Sequence, residues 1–122
     1  MSAHGKRFGR IVDNAETLGA VTTHTFTVPD DCRWELYGII VERDVSATLV
    51  VEMFNENDFR LGAIASMAAG TGALTILPIS VGGEDYMITC LMPMKAGWYI
   101  KLTWGAQQGT PEVACLVEEW DV

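Results

Sequence analysis

Residues 86–104 read YMITCLMPMKAGWYIKLTW. From Trp98 onward, Trp98, Ile100, Leu102 and Trp104 share one parity, while Tyr99, Lys101 and Thr103 take the other. Successive side chains of a strand point to opposite faces, so this alternation predicts a strand with one buried face. The preceding Pro93-Met94-Lys95-Ala96-Gly97 breaks the pattern with turn chemistry. That break predicts a tight reversal between two antiparallel neighbours, residues 86–92 and 97–104.

The same pattern extends outward along the chain. Residues 17–28 are rich in Thr and Val and predict a first long strand, closed by a Pro29-Asp30-Asp31 turn. Residues 33–44 and 47–54 predict two more, ending in the polar tip Asn55-Glu56-Asn57-Asp58. A weaker strand is expected over 59–67, a small-residue turn over 68–73, and an edge strand over 74–81, because Pro78 lacks a ladder donor. Gly82 to Asp85 reads as a turn, and residues 105–112 as a loop leading into a last strand over 113–120. No stretch reads convincingly as an amphipathic helix; residues 60–69 come nearest, with Gly62 against them. About eight short strands predict an all-β chain, a single antiparallel β-sandwich over residues 17–122. Residues 1–16 read as an extended N-terminal arm carrying Lys6, Arg7 and Arg10, either a strap to a neighbour or a frayed tail.

Composition narrows the function classes. A chain of 122 residues forms one domain and buries roughly two-thirds of its unfolded surface. Its 49% hydrophobic content and mean hydropathy of +0.20 exceed what one core needs, which points to apolar surface covered by partner chains, as in a homo-oligomer. The net charge of −8 and pI near 4.5 argue against nucleic-acid and anionic membrane partners. No apolar run is long enough for a spanning helix, and MSAHGKRFGR lacks the apolar core of a secretory leader. Three cysteines, Cys32, Cys90 and Cys115, without CxxC spacing predict neither a disulfide framework nor a zinc site, and suit reduced folding in a cytoplasm.

No catalytic constellation is legible. His4 falls in the arm, and His24 shares the parity of Phe26 in a Thr-rich strand, so it reads as a packed strand histidine rather than a base. Gly70 and Gly72 open no phosphate-binding helix. The acidic residues form two groups, the 55–58 tip and Glu118, Glu119 and Asp121, and solvated surfaces account for both better than a calcium site or a glycosidase pair. The expectation is therefore no enzyme, no cofactor and no metal. Of four tryptophans, Trp98 and Trp104 follow core parity, while Trp34 and Trp120 are either core or contact residues.

Three stretches carry a resemblance. They are Thr27-Val28-Pro29-Asp30-Asp31 followed by Cys32-Arg33-Trp34-Glu35-Leu36, the Pro/Gly turn and strand of residues 92–102, and the ending Leu116-Val117-Glu118-Glu119-Trp120. Taken in order, they resemble a group of small structural proteins of tailed bacteriophages. Residues 106–109, AQQG, stand where that group has an Asp-rich loop. The resemblance implies a jelly-roll-like sandwich and a non-enzymatic virion role, most specifically a capsid cement or decoration protein. Such a protein is made in the host cytoplasm, sits on the capsid exterior, and bridges major capsid protein subunits as a dimer or trimer. Its expected interface residues are Lys6, Arg7, Phe8 and Arg10 of the arm, with Trp34, Tyr37 and Trp120. The alternative is a tail or head-fibre module that binds host-surface glycan or receptor through Trp34 or Trp120. A histidine-rich cupin enzyme fits least, since only His24 lies outside the arm.

Overall fold

Alternation does organise the chain, and the strands it produces are longer than the sequence suggests. The computed structural model describes residues 9–76, 80–82, 87–89 and 92–122. Its strands are β1 (Arg10–Asp13), β2 (Glu16–Thr17), β3 (Val21–Thr27), β4 (Cys32–Phe54), β5 (Arg60–Ile76), β6 (Ser80–Gly82), β7 (Met87–Thr89), β8 (Met92–Met94), β9 (Tyr99–Gln108) and β10 (Glu112–Asp121). Among the described residues all pairing is antiparallel; eight strands form one sheet and β6 pairs with β7. Among the described residues there is no helix. The fold is an all-β, jelly-roll-like antiparallel sandwich.

Four long segments build it. Residues 10–27 run antiparallel to 99–121, from Arg10 opposite Glu119 to Thr27 opposite Tyr99. Residues 99–121 run antiparallel to β4, from Phe54 opposite Tyr99 to Asp121 opposite Cys32. On its other side β4 pairs with β5, from Phe54 opposite Arg60 to Ile39 opposite Ile76. β4 pairs with β10 as far as Val41 and with β9 from Leu49. Between those points lies a crease shared by all four segments, near residues 18–20, 44–46, 70–72 and 109–111. On one side of the crease is a first layer, β1, β2, β10, the start of β4, the end of β5, and β8. On the other is a second layer, β3, β9, the end of β4 and the start of β5.

The layers face each other across one core. Leu36, Ile39, Cys115 and Val117 of the first layer and Leu49, Val51, Ile100 and Leu102 of the second are all fully buried. One sheet face reaches that burial only under another. In β4 the inward parity changes from even (Trp34, Leu36) to odd (Ile39, Val41). The cause is a β-bulge, because Leu36 and Gly38 face the adjacent residues Val117 and Leu116, leaving Tyr37 as the extra residue.

Several expectations need correcting. The strands flanking residues 93–97 do not pair with each other in the described residues; β8 pairs with Trp34–Leu36 of β4, and β9 lies in the other layer. The turn itself is present, with Trp98 N–H donating to the Lys95 carbonyl and Gly97 at φ +84°. Residues 33–44 and 47–54 form one strand, and the 68–73 turn is absorbed into β5, where Gly72 holds φ +99° at the crease. β9 continues through Gln108 into the expected loop, and β3 begins at Val21, not residue 17. Cys90, Pro78 and the turn residues Gly83 to Asp85 lie outside the described residues, as do His4, Lys6, Arg7 and Phe8.

Candidate interaction surface

β10 carries Val113, Cys115, Val117 and Glu119 on its inward parity, so a carboxylate follows three apolar side chains into the interior. Glu119 is only 8% exposed. A buried carboxylate must be paired and hydrogen-bonded. Trp34 Nε1 donates to its Oε2 at 2.9 Å, and Arg10 donates to Oε1 from Nη2 at 2.5 Å and from Nε at 3.2 Å. Register makes this possible, since Glu119 lies opposite both Arg10 of β1 and Trp34 of β4. The Trp34 bond, then the Arg10 bond, holds the carboxyl below its ordinary range. Arg10 is correspondingly raised by its bond to Glu119. The Arg10 side chain is 74% exposed, so solvent screens its half of the contact.

Outward residues of the same strands form the outer face of the first layer. Tyr37, Ile40, Leu116 and Trp120 are half-buried there, and Ile11, opposite Glu118, is 67% exposed. The Arg33 guanidinium sits 4.9 Å from the Trp120 ring centroid, a cation–π distance, and its Nη1 lies 3.4 Å from Glu35. Tyr37 donates its hydroxyl to Glu118 Oε2 at 2.8 Å, which pushes the phenol above its usual range. A cleft of about 340 Å³ opens beside Ile40, between Glu16 and Glu112.

Arg10, Trp34, Tyr37 and Trp120, four of the seven expected interface residues, are thus drawn together at one end of the first layer. Trp34 takes the core role of the two open to it, being 3% exposed. Trp104 is buried with its Nε1 donating to the Glu42 carbonyl, and Trp98 is half-buried at the 95–98 turn. Glu119 was legible only as part of an acidic ending, although its parity with Val113, Cys115 and Val117 placed it inward.

Two solved structures are similar in fold. One is the virus-like particle of the extra small virus of the giant freshwater prawn Macrobrachium rosenbergii, with 15% identity over 95% of this chain and 79% of that one, TM-score 0.45. The other is the Drosophila NLP core, described in terms of pentamer formation and histone binding, with 17% identity over 86% of this chain and 96% of that one, TM-score 0.40. At these scores neither bears on what this chain does. No protein-family model matches the sequence, and no curated protein matches it.

His24 packs edge-on against Phe26, with centroids 4.9 Å apart and Nε2 3.8 Å from Glu16. In the 55–58 tip, Asn55 Oδ1 accepts the N–H groups of Asn57 and Phe59, and Asp58 accepts the Tyr99 hydroxyl at 2.8 Å. Among the described residues no three His, Cys, Asp or Glu side chains come together as a metal site would need. Burial pushes the Cys115 thiol up to about 12, far from the thiolate that a nucleophile needs. Iodoacetamide at about pH 8 is therefore expected to leave Cys115 unmodified in the native protein and to label it in urea; rapid native labelling by peptide mass analysis would refute the burial.

Proposed function

We propose that this chain is a non-enzymatic virion structural protein of a tailed phage, a cement subunit that docks on the capsid exterior through the outer face of its first layer. One observation carries the reading. The three stretches on which the phage resemblance rests are far apart in sequence, yet their strands are neighbours. Trp34 of the first stretch lies opposite Met94 of the second on one side and Glu119 of the third on the other. Residues 33–36, 93–94 and 118–120 of the three stretches therefore lie side by side on neighbouring strands of the first layer.

Charge supports the same placement, since a subunit of net charge −8 belongs outside a shell, away from packaged DNA. The half-buried Tyr37, Ile40, Leu116 and Trp120, with exposed Ile11, supply apolar and aromatic area of the kind that anchors interfaces. Each 100 Å² of apolar surface covered contributes about 2.5 kcal/mol before association costs, and a symmetric shell repeats the contact many times. The arm is the strap on this reading, with Arg10 anchored to Glu119 as its root.

The glycan-binding alternative has less support, because Trp34 is enclosed and one face of Trp120 is covered by Arg33. The test is co-sedimentation of purified protein with shells of its own phage that lack it. Saturable binding is expected, weakened at least about tenfold by Tyr37→Ala with Trp120→Ala, as removal of interface anchors does. No binding to such shells, or binding indifferent to both substitutions, would reject the proposal.

A further inference from the structure

The folded sheet has two lateral edges. Residues 10–27 form one and β5 with β8 the other, and among the described residues β3 pairs only with β9 and β5 only with β4. A strand edge offers unpaired N–H and C=O groups to any chain that approaches, and proteins commonly guard such edges with charge. The first-layer part of the 10–27 edge is guarded in this way, by Arg10, Asp13 and Glu16. The second-layer edges are not. β3 lies in a run, residues 17–29, without an acidic residue, lysine or arginine, and β5 has no charged residue after Arg60. In a chain that is 20% charged, the β3 edge and the longer part of the β5 edge, from Leu61 to the crease near Gly70, lie in the same four-stranded layer, and the uncharged run of β5 continues to Ile76 in the first layer.

Direction and chemistry select the occupant. β3 is antiparallel to β9, β9 to β4, and β4 to β5, so β3 and β5 run oppositely at the two ends of the layer. Placing β3 of one copy beside β5 of another continues the layer with the antiparallel pairing it already uses. Two copies that each carry −8 repel over most of their surfaces, and these neutral edges are where they can approach. β5 holds extra residues relative to β4 near Leu61, Ile64 and Ala68–Ala69, and such bulges leave peptide groups outside the β4 ladder.

We infer that the protein self-associates head to tail, with β3 of one copy pairing antiparallel to β5 of the next. Such a heterologous contact closes into a ring or runs on as a filament. The inference concerns the isolated protein and stands or falls without any shell.

Thr25 lies opposite Lys101, and Ser66 opposite Val50, on the outer face of the layer, where facing strands bring cysteines within disulfide reach. Variants Thr23→Cys, Thr25→Cys and Thr27→Cys would each be mixed with Ser66→Cys or Ala63→Cys and oxidised gently. A disulfide between β3 and β5 peptides is expected in at least one mixture and in neither variant alone. In parallel, Thr25→Lys should reduce the assembly to monomer in native mass measurements with its circular dichroism unchanged, and adding Ser66→Glu should restore it. Cross-linking of Ser66→Cys with itself would instead indicate a twofold β5 pairing. That result, or a monomer at about 100 μM with no cross-link in any mixture, would overturn the inference.

Discussion

Glu119→Leu is expected to destabilise the protein by about 3 kcal/mol in urea unfolding near pH 7. The substitution leaves the buried Trp34 N–H without its acceptor at 2.9 Å and releases Arg10, which holds β1 against β10. Hydrogen bonds to charged groups contribute about 1.5–3 kcal/mol, and an unsatisfied buried donor costs about 1–3. The exposed Arg10 contact adds little, because solvent screens it. The effect should also depend on pH in a defined direction. Folding lowers the Glu119 carboxyl below its ordinary value, so the folded state favours the ionised form. That stabilisation is present above about pH 4.3, the ordinary glutamate value, and is lost as pH falls through the lower folded value. Glu119→Gln keeps an acceptor for Trp34 but cannot titrate, so it should lose less stability between about pH 5 and 3 than the parent. Parallel acid losses in the two proteins would show that Glu119 does not carry the dependence.

Fold class was legible because burial follows parity wherever a strand is regular. Ile100, Leu102 and Trp104 go in while Tyr99, Lys101 and Thr103 stay half-exposed, as period 2 requires. The length of the strands was not legible. Val45 and Ser46 in β4, Gly70 to Gly72 in β5, and Gly105 to Gln108 in β9 all read as breaks between strands. They do mark a change of direction, but the chain bends there without leaving the ladder. Neither could parity announce the Tyr37 bulge, since an extra residue leaves the apolar count unchanged while exchanging the faces. The candidate surface shows the same division. Trp120 and Tyr37 were identifiable by type, whereas the convergence of residues 33–37, 93–94 and 118–120 depends on pairing between strands distant in sequence. Long-range register of that kind leaves no local pattern.

The crease makes the second large prediction, because the fold there depends on polar side chains standing in for ladder bonds. Gln108 is 1% exposed, and its Oε1 accepts the Val45 N–H at 3.0 Å while Nε2 donates to the carbonyls of Val45 and Ala106 at 3.0 and 3.1 Å. Asp44 accepts the N–H groups of Thr110 and Gly109 at 2.6 and 3.0 Å, which holds its carboxyl below the usual range. Arg43, also buried, donates to the carbonyls of Ala47 and Ala68. Residues 44–46 bulge out of the ladder, so Val45 finds in the Gln108 amide the two partners that a neighbouring strand would supply. Gln108→Met conserves volume and removes all three bonds, so the loss is one of hydrogen bonding and not of packing. At about 1 kcal/mol for each of the three bonds, all of them part-buried, the expected destabilisation is about 2–4 kcal/mol. Val45 N–H exchange with solvent should accelerate well beyond that of Val41 or Leu49 on either side, because the loss is local before it is global. Gln108→Glu separates hydrogen bonding from shape, since the carboxylate still accepts from Val45 N–H but faces two carbonyls without a proton to offer at neutral pH. It should be less stable than Gln108→Met near pH 7 and recover as pH falls and the carboxyl gains a proton. A Gln108→Met protein as stable as the parent would mean that water or neighbouring backbone already satisfies the crease, and that the two layers are held together by the core alone.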